Sequence, residues 1–420
     1  MMAAEGPMIT GIIGRLPEQK FNLAAFGVAF AWALFLESPV ISLLSVSAAL
    51  CKDRQSFLKL RRFMWILSIG TTLSMVPLLV PAVFNTLAQR LLNLPPQVST
   101  LAYNALWNMV LWPGAIGYRR FYQGAMISHN LPHRVAQGTI VRMLSMAGIG
   151  LVLYFFSALP GATIGTAMLV TGVVCEAVAT RLMARQVVSK ILNQTERKQS
   201  AAAELTYHTL FQLYLPLTLT IFLGMTIGPV TTFFLGHSQM AVESLAVLPV
   251  SNSVVFFTYT SVIGMQETSI VLAGEGLENT ALLKRFAWII GAALCGVLGL
   301  FTFTALGDFW LQKVCGLAPE LFWLAKLTLR IGIVMPLLRA WECTQRGLMV
   351  KAGRTATVTA ASVCELIGIA GVLFACIHRF ELIGAPSAQF AVAMGGCAAV
   401  GLLIPFTRNA TQPAISAAHQ

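Results

Sequence analysis

The 420-residue sequence predicts an all-α, polytopic membrane protein made of two pseudo-symmetric six-helix lobes, about 12 spans with the first one truncated. Three observations predict this. Hydrophobic residues are 57% of the chain and charged residues 10%, more apolar surface than a soluble core could hide. Nearly uncharged runs of twenty or more residues recur, each long enough to cross roughly 30 Å of hydrocarbon as a helix. Similar strings also recur in the two halves at a common offset. In lipid an unpaired backbone has no other solution than helices or a closed barrel.

Apolar runs read against helix breakers place spans near 23–49, 63–85, 98–126, 135–157, 160–184, 208–236, 242–272, 284–310, 319–349, 356–377 and 382–406, after a short apolar piece at 7–14. That makes eleven full spans and a fragment, divided into a lobe at 1–185, a linker at 186–207, a lobe at 208–406 and a tail at 407–420. The linker, QVVSKILNQTERKQSAAAELTY, is the only long polar stretch and reads as a cytoplasmic amphipathic helix. No cleavable signal peptide is visible, because Glu5 stands where a basic region would be.

The net charge of +12 is unevenly distributed. Alternate connections hold Lys52, Arg54, Lys59, Arg61 and Arg62, then Arg134, then Arg181, Arg185, Lys190, Arg197 and Lys198, then Lys284 and Arg285, then Lys351 and Arg354. The other set carries little beyond Arg15, Lys20, Arg90, Lys313 and Arg379. The positive-inside rule therefore puts the basic connections and both termini in the cytoplasm of a multi-pass cell-membrane protein. The charge is a topology signal that also suits anionic lipid headgroups, and it does not call for nucleic acid. Eight cysteines lie mostly within spans with no CxxC spacing, so no disulfide framework or zinc site is expected. His129 and His133 flank an Asn and a Pro and read as a solvated loop.

The repeat runs at an offset of 222 to 223 residues. Gly6-Pro7 and Gly14 align with Gly228-Pro229 and Gly236, and Leu23-Ala24 with Leu245-Ala246. After a one-residue shift RFMWIL from Arg62 matches RFAWII from Arg285, Pro113 matches Pro336, Gly124 and Met126 match Gly347 and Met349, and Ala147-Gly148 matches Ala370-Gly371. Six helices per copy is an even number, so the repeats are parallel. The helix at 208–236 begins about fourteen residues before the counterpart of Met1, so the first span lacks its N-terminal half and a start upstream of Met1 is expected.

These residues resemble the multidrug/oligosaccharidyl-lipid/polysaccharide (MOP) flippase superfamily, which includes the MATE exporters, lipid II flippases and progressive ankylosis transporters. The likeness rests on LAAFGVAFAWALFLESPV, a basic loop, and Pro113 followed by YRRFYQGAMISHNLPHR, repeated as LAVLPVSNSVVFF and MPLLRAWECTQRGLMVKAGRT. Among subfamilies, the segment from Leu23 to Lys59 looks most like the progressive ankylosis group, whose members are associated with export of small anions. The resemblance implies a MATE-like fold and secondary transport by rocking of two lobes. Classical MATE exporters carry an acidic residue in the first or seventh helix, and the 208–236 span has none, which argues against cation antiport.

Ionisable groups at membrane depth cost several kcal/mol each and normally face water or a partner. The basic set is Arg119, Arg120, Arg142, Lys326, Arg330 and Arg339; Lys326 and Arg330, one helical turn apart, share a face. Either this set lines a cavity for phosphate or carboxylate groups, with Arg330 the leading candidate, or Arg119, Arg120 and Arg339 snorkel to one interface and Lys326 to the other. The acidic set is Glu37, Glu176, Glu342 and Glu365. The repeat puts Glu342 opposite Arg119 and Glu365 opposite Arg142. These carboxyls either couple transport to H+ or Na+ or form ion pairs with neighbouring Arg; Glu37, beside Pro39, is the strongest coupling candidate. No Walker string, catalytic triad or Gly-rich phosphate loop is present, so ATP-driven pumping by this chain is not expected, and with no His, Asp or Glu cluster at one membrane face neither an enzyme nor a cofactor is expected. The reading is a monomeric transporter for an anionic metabolite or lipid-linked anion. Its alternatives are a cation or multidrug antiporter and a non-transporting receptor or scaffold.

Overall fold

A computed structural model of the chain describes residues 4–51, 53–193, 206–274 and 277–417, with side chains as far as 407. Much of the expected linker, with Arg197 and Lys198, lies outside the described residues, as do Lys52 and the end of the tail. The described chain is all-helical apart from its connections and one isolated bridge between Gln239 and Ile383. Ten of its helices or near-continuous helix pairs are long and apolar enough to cross a membrane.

Contacts divide the chain into two compact units, Met1–Glu5 with Ala25–Pro229 and Gly6–Ala24 with Val230–Gln420. The grouping cuts across the expected boundary at 185. Helix α2 (Gln19–Ile41) contributes to both units, and so does α11 (Tyr207–Gly236).

The first unit begins with the short α1 (Glu5–Ile13), of which only Glu5 belongs to it, and the greater part of α2. It continues through α3 (Leu43–Leu50), α4 (Arg54–Leu79), α5 (Pro81–Asn85), α6 (Pro96–Asn108), α7 (Trp112–Ile127), α8 (Pro132–Phe156), α9 (Gly161–Met183) and α10 (Arg185–Leu192). Helix α7 is its centre and packs on α3, α4, α8 and α9. The expected span at 98–126 is two helices joined by a 3-10 turn at Met109–Leu111. That segment is not among the ten membrane-capable helices; α6 and α7 are 13 and 16 residues long, and α7 carries Arg119, Arg120 and Gln123.

Arg54, Lys59, Arg61 and Arg62, expected in a loop, lie in the first turns of α4. Asp53 starts that helix by accepting from the Ser56 amide at 2.9 Å and the Ser56 hydroxyl at 2.7 Å, a cap worth about 1 kcal/mol. Opposite its buried face α4 presents Trp65, Ile66, Ile69, Leu73 and Val76, all exposed at helical spacing, as a lipid-facing stripe requires.

The second unit repeats the plan with α12 (Ala241–Tyr259), α13 (Met265–Leu272), α14 (Thr280–Phe303), α15 (Ala305–Phe309), α16 (Pro319–Gly332), α17 (Met335–Lys351), α18 (Thr355–Phe374) and α19 (Gly384–Ala417). Here α17 is central, against α13, α14 and α19. Helices begin at Pro96 and Pro319, Trp112 and Met335, Pro132 and Thr355, and Gly161 and Gly384, each pair 223 residues apart. Proline at the first turn needs no amide partner, so it starts a helix without cost.

In lipid, burial of apolar surface does not drive helix association, and close backbone approach takes its place. The two halves achieve it at equivalent glycines. A Cβ on Gly124 of α7 would lie 2.6 Å from the Leu44 carbonyl oxygen and 2.6 Å from Ser47 Cβ of α3. A Cβ on Gly347 of α17 would lie 2.5 Å from the Gln266 carbonyl oxygen and 2.8 Å from Ser269 Cβ of α13.

The early part of α11 packs within the first unit. Tyr214 donates to the Pro39 carbonyl at 2.7 Å, Ser42 and Thr218 hydroxyls meet at 2.8 Å, and the Phe35 and Phe222 rings are 4.8 Å apart. The segment Gly6–Ala24 packs within the second unit. Arg15 donates to the Val314 carbonyl at 2.9 Å and also to that of Lys313, Gln19 bridges the Gly316 carbonyl and the Ala318 amide at 2.8 Å each, and Lys20 pairs with Glu243 at 2.9 Å.

Candidate functional site: two buried charge networks

In the first unit, α7, α8 and α9 bring Arg119, Gln123, Arg142 and Glu176 to one place, and α1 adds Glu5. Arg119 pairs with Glu176, both essentially without solvent exposure, and Gln123 donates to the other oxygen of Glu176 at 3.1 Å. Arg142 pairs with Glu5, stands 3.8 Å from Glu176, and lies over the Trp112 ring at 5.7 Å. Gly172 of α9 leaves room for this, since a Cβ there would be 3.2 Å from Arg142 Cγ. Glu37 is buried without a salt bridge among the described residues, and one of its carboxylate oxygens has no hydrogen-bond partner. Arg120, on α7 beside Arg119, also carries a buried Nε with no hydrogen-bond partner. The ion-paired network thus holds two arginines and two glutamates, Arg119, Arg142, Glu5 and Glu176.

A buried ion pair with one member removed leaves an uncompensated charge at a cost of about 3–5 kcal/mol. The charges here are mutually dependent in that sense. One oxygen of Glu5 and the Nε atoms of Arg119, Arg120 and Arg142 are buried without partners, so the network retains unused hydrogen-bonding capacity.

The second unit closes a ring. Arg339 contacts Glu342 at 2.6 Å and Glu365 at 3.0 Å; Arg346 contacts the same two carboxylates at 2.6 Å and 3.1 Å and Ser362 at 2.9 Å. Glu342 and Glu365 stand where Arg119 and Arg142 stand in the first half, with the sign reversed. In the first half the compensating charge for the arginines is Glu176 from α9 and Glu5 from α1. In the second, both compensating arginines lie on α17 itself, one turn either side of Glu342.

Of the ten residues singled out in sequence, Arg119, Arg142 and Glu176 form the first network, with Arg120 and Glu37 at its margin, and Arg339, Glu342 and Glu365 form the ring. Arg119 neither snorkels nor stands free; it is sealed in and paired. Lys326 and Arg330 belong to neither network. Lys326 pairs with Asp308 at 2.6 Å, and exposed Arg330 lies over the Phe303 ring at 5.3 Å with no carboxylate partner among the described residues. Sequence reasoning missed Glu5, Gln123 and Arg346. Arg346 was findable as the i+4 partner of Glu342, and Glu5 as the acid beside the repeated Gly-Pro. Among the described residues, no group of three or more His, Cys, Asp or Glu side chains is placed to hold a metal ion.

Solved structures similar to the chain have the same arrangement of helices. A multidrug resistance MATE family transporter of the MOP superfamily, in an inward-facing conformation, aligns at a TM-score of 0.81 and 12% identity, covering 98% of this chain and 95% of its own. The chain has the MATE fold. The lipid II flippase MurJ in an inward closed conformation shares it at a TM-score of 0.70 and 12% identity, over 97% and 85% of the two chains. A MOP superfamily transporter from Pyrococcus furiosus aligns at 0.61 and 12% identity, over 98% and 95%. No family model and no curated protein matches the sequence. The two charge networks share the equivalent helices α7 and α17, and α8 and α18, while α9 and α1 contribute to the first alone.

Proposed function

We propose that the chain is a secondary-active transporter that exports an anionic metabolite or lipid-linked anion, coupled to H+ or Na+, by alternating-access rocking of its two lobes. The observation that carries this reading is the first-unit network: within a MATE fold, Glu5, Glu37, Glu176, Arg119 and Arg142 are buried among the helices with several polar atoms unpartnered. A static bundle gains nothing from such an arrangement, and replacing buried ions by apolar residues is often neutral or stabilising. A transporter gains a group whose partners can change. In this reading Glu5, Glu37 and Glu176 bind and release the coupling ion, and the arginines adjust their pairing as they do so. Glu342 and Glu365, held twice over by arginine, serve the second half as a fixed clamp.

Arg330 supports an anionic substrate, because it is an exposed guanidinium on an apolar helix without a carboxylate, able to bind carboxylate or phosphate through two parallel hydrogen bonds. The Pyrococcus furiosus relative is described as having a binding pocket of reverse polarity, so pockets of different sign occur on this fold. The likeness of the segment from Leu23 to Lys59 to the progressive ankylosis group points toward a small anion. The second reading, a cation or multidrug antiporter, is favoured by the neutralisation of Arg119, Arg142 and Arg339, which removes much of the positive field expected from them.

The test is efflux of labelled citrate, labelled ATP and a cationic dye from cells expressing wild type, Arg330→Ala or Glu37→Gln. An anion transporter loses anion flux in both variants with dye efflux unchanged. Dye efflux lost in Glu37→Gln alone establishes the cation reading, and no change in any flux refutes the assignment of both residues.

A further inference from the structure

We propose that helix α10 and the end of α9 form a binding site for one anionic phospholipid, with the headgroup phosphate at Arg185, Gln186, Ser189 and Lys190. These four residues line an open depression of about 620 Å³ in the first unit. Every one of them offers a hydrogen-bond donor to it. Arg185 and Lys190 are cations. Arg134 of α8 donates to the Gln186 side-chain oxygen at 3.0 Å while holding the Met183 carbonyl at 2.6 Å, so the remaining group on Gln186 is its NH2. Asn193 donates to Ser189 Oγ at 3.3 Å, which leaves the hydroxyl hydrogen for another acceptor. No carboxylate among the described residues lines the depression. A ligand that fits carries negative charge and several acceptor oxygens, as a phosphate does.

Helix periodicity argues for a lipid over a free anion. Val174, Val178 and Leu182 form an exposed apolar stripe on α9 at intervals of four residues, and α10, which starts two residues after α9 ends, exposes Gln186 and Ser189 just beyond it. Acyl chains on the stripe and a phosphate at its end match the two chemistries in the order a lipid presents them. The opposite face of α10, through Val187, Val188 and Ile191, is buried against α4, α7 and α9, so the donor face is held in place.

Native mass spectrometry of the purified full chain, with phosphatidylglycerol and phosphatidylcholine of the same acyl chains, tests the site. Wild type retains phosphatidylglycerol preferentially, and each of Arg185→Gln and Lys190→Gln weakens retention about fivefold. Leu182→Asn weakens it as well, and excess inorganic phosphate does not displace the lipid. Both glutamine substitutions are at exposed positions and leave folding intact, so retention at wild-type level in the double variant overturns the proposal. Full displacement by inorganic phosphate together with no effect of Leu182→Asn also overturns it, in favour of a free-anion site.

Discussion

Arg142 of α8 is ion-paired with Glu5, 137 residues earlier in the chain, and both side chains are buried. The pair ties the first residues of α1 to the centre of the first unit and gives Arg142 its principal counter-charge, since Glu176 is 3.8 Å away and committed to Arg119. Glu5→Gln is therefore expected to destabilise the protein by about 3 kcal/mol through the uncompensated Arg142. The double variant Glu5→Gln with Arg142→Gln recovers part of that loss. Denaturation of the four proteins of this cycle in detergent measures the coupling, and additive losses would refute it.

The ring in the second unit has a different signature. Arg346→Met leaves Glu342 and Glu365 to share Arg339, so two like charges press on one partner. Its loss is expected to be about 3 kcal/mol, and adding Glu342→Gln to it makes the protein more stable than Arg346→Met alone. Thermal unfolding of the single and double variants gives the sign directly.

Gly124→Ala and Gly347→Ala each push a methyl group against the backbone of a neighbouring helix, with expected losses of about 1–3 kcal/mol. Gly70→Ala in α4 and Gly148→Ala in α8 meet nothing within 4 Å and are expected to be neutral or slightly stabilising. The contrast between these pairs in detergent-solubilised protein isolates helix approach from helix propensity.

Arg330→Gln and Lys326→Gln separate function from stability. The cation–π contact of Arg330 with Phe303 and the partly exposed Lys326–Asp308 pair are each worth at most about 1 kcal/mol, so both variants fold with nearly unchanged stability. Arg330→Gln is expected to raise KM for an anionic substrate about tenfold or more, while Lys326→Gln, whose charge is already satisfied, changes it little. Equal effects from the two would remove Arg330 from the site.

What could be read from the sequence was whatever depends on local period and chemistry. Alternation of apolar runs and breakers located the ten membrane-capable helices, and also suggested a span at 98–126 that is not one of them. Pro113 and Pro336, with Gly124 and Gly347, were legible as matches between the halves, and the structure puts them at the first turns and close crossings of α7 and α17. Pairing was much less legible. Arg119 meets Glu176 across 57 residues, and no helical period in α7 indicates which face of α9 will oppose it. The sign reversal at Arg119 and Glu342 was visible, but that each half would neutralise its own charge was not, because the compensating groups come from non-equivalent places. Glu5 was overlooked for a related reason, since its role exists only once it meets Arg142.

The central claim, that the first-unit glutamates couple transport to an ion gradient, is tested most directly by counting the energy source in proteoliposomes. With the purified chain reconstituted, flux of the substrate found in the efflux assay is expected to depend on an imposed H+ or Na+ gradient and to collapse when that gradient is dissipated. Glu176→Gln is expected to abolish the gradient-driven component while leaving substrate binding measurable. Gradient-independent flux in the wild type, or gradient-driven flux of normal size in Glu176→Gln, would contradict the account.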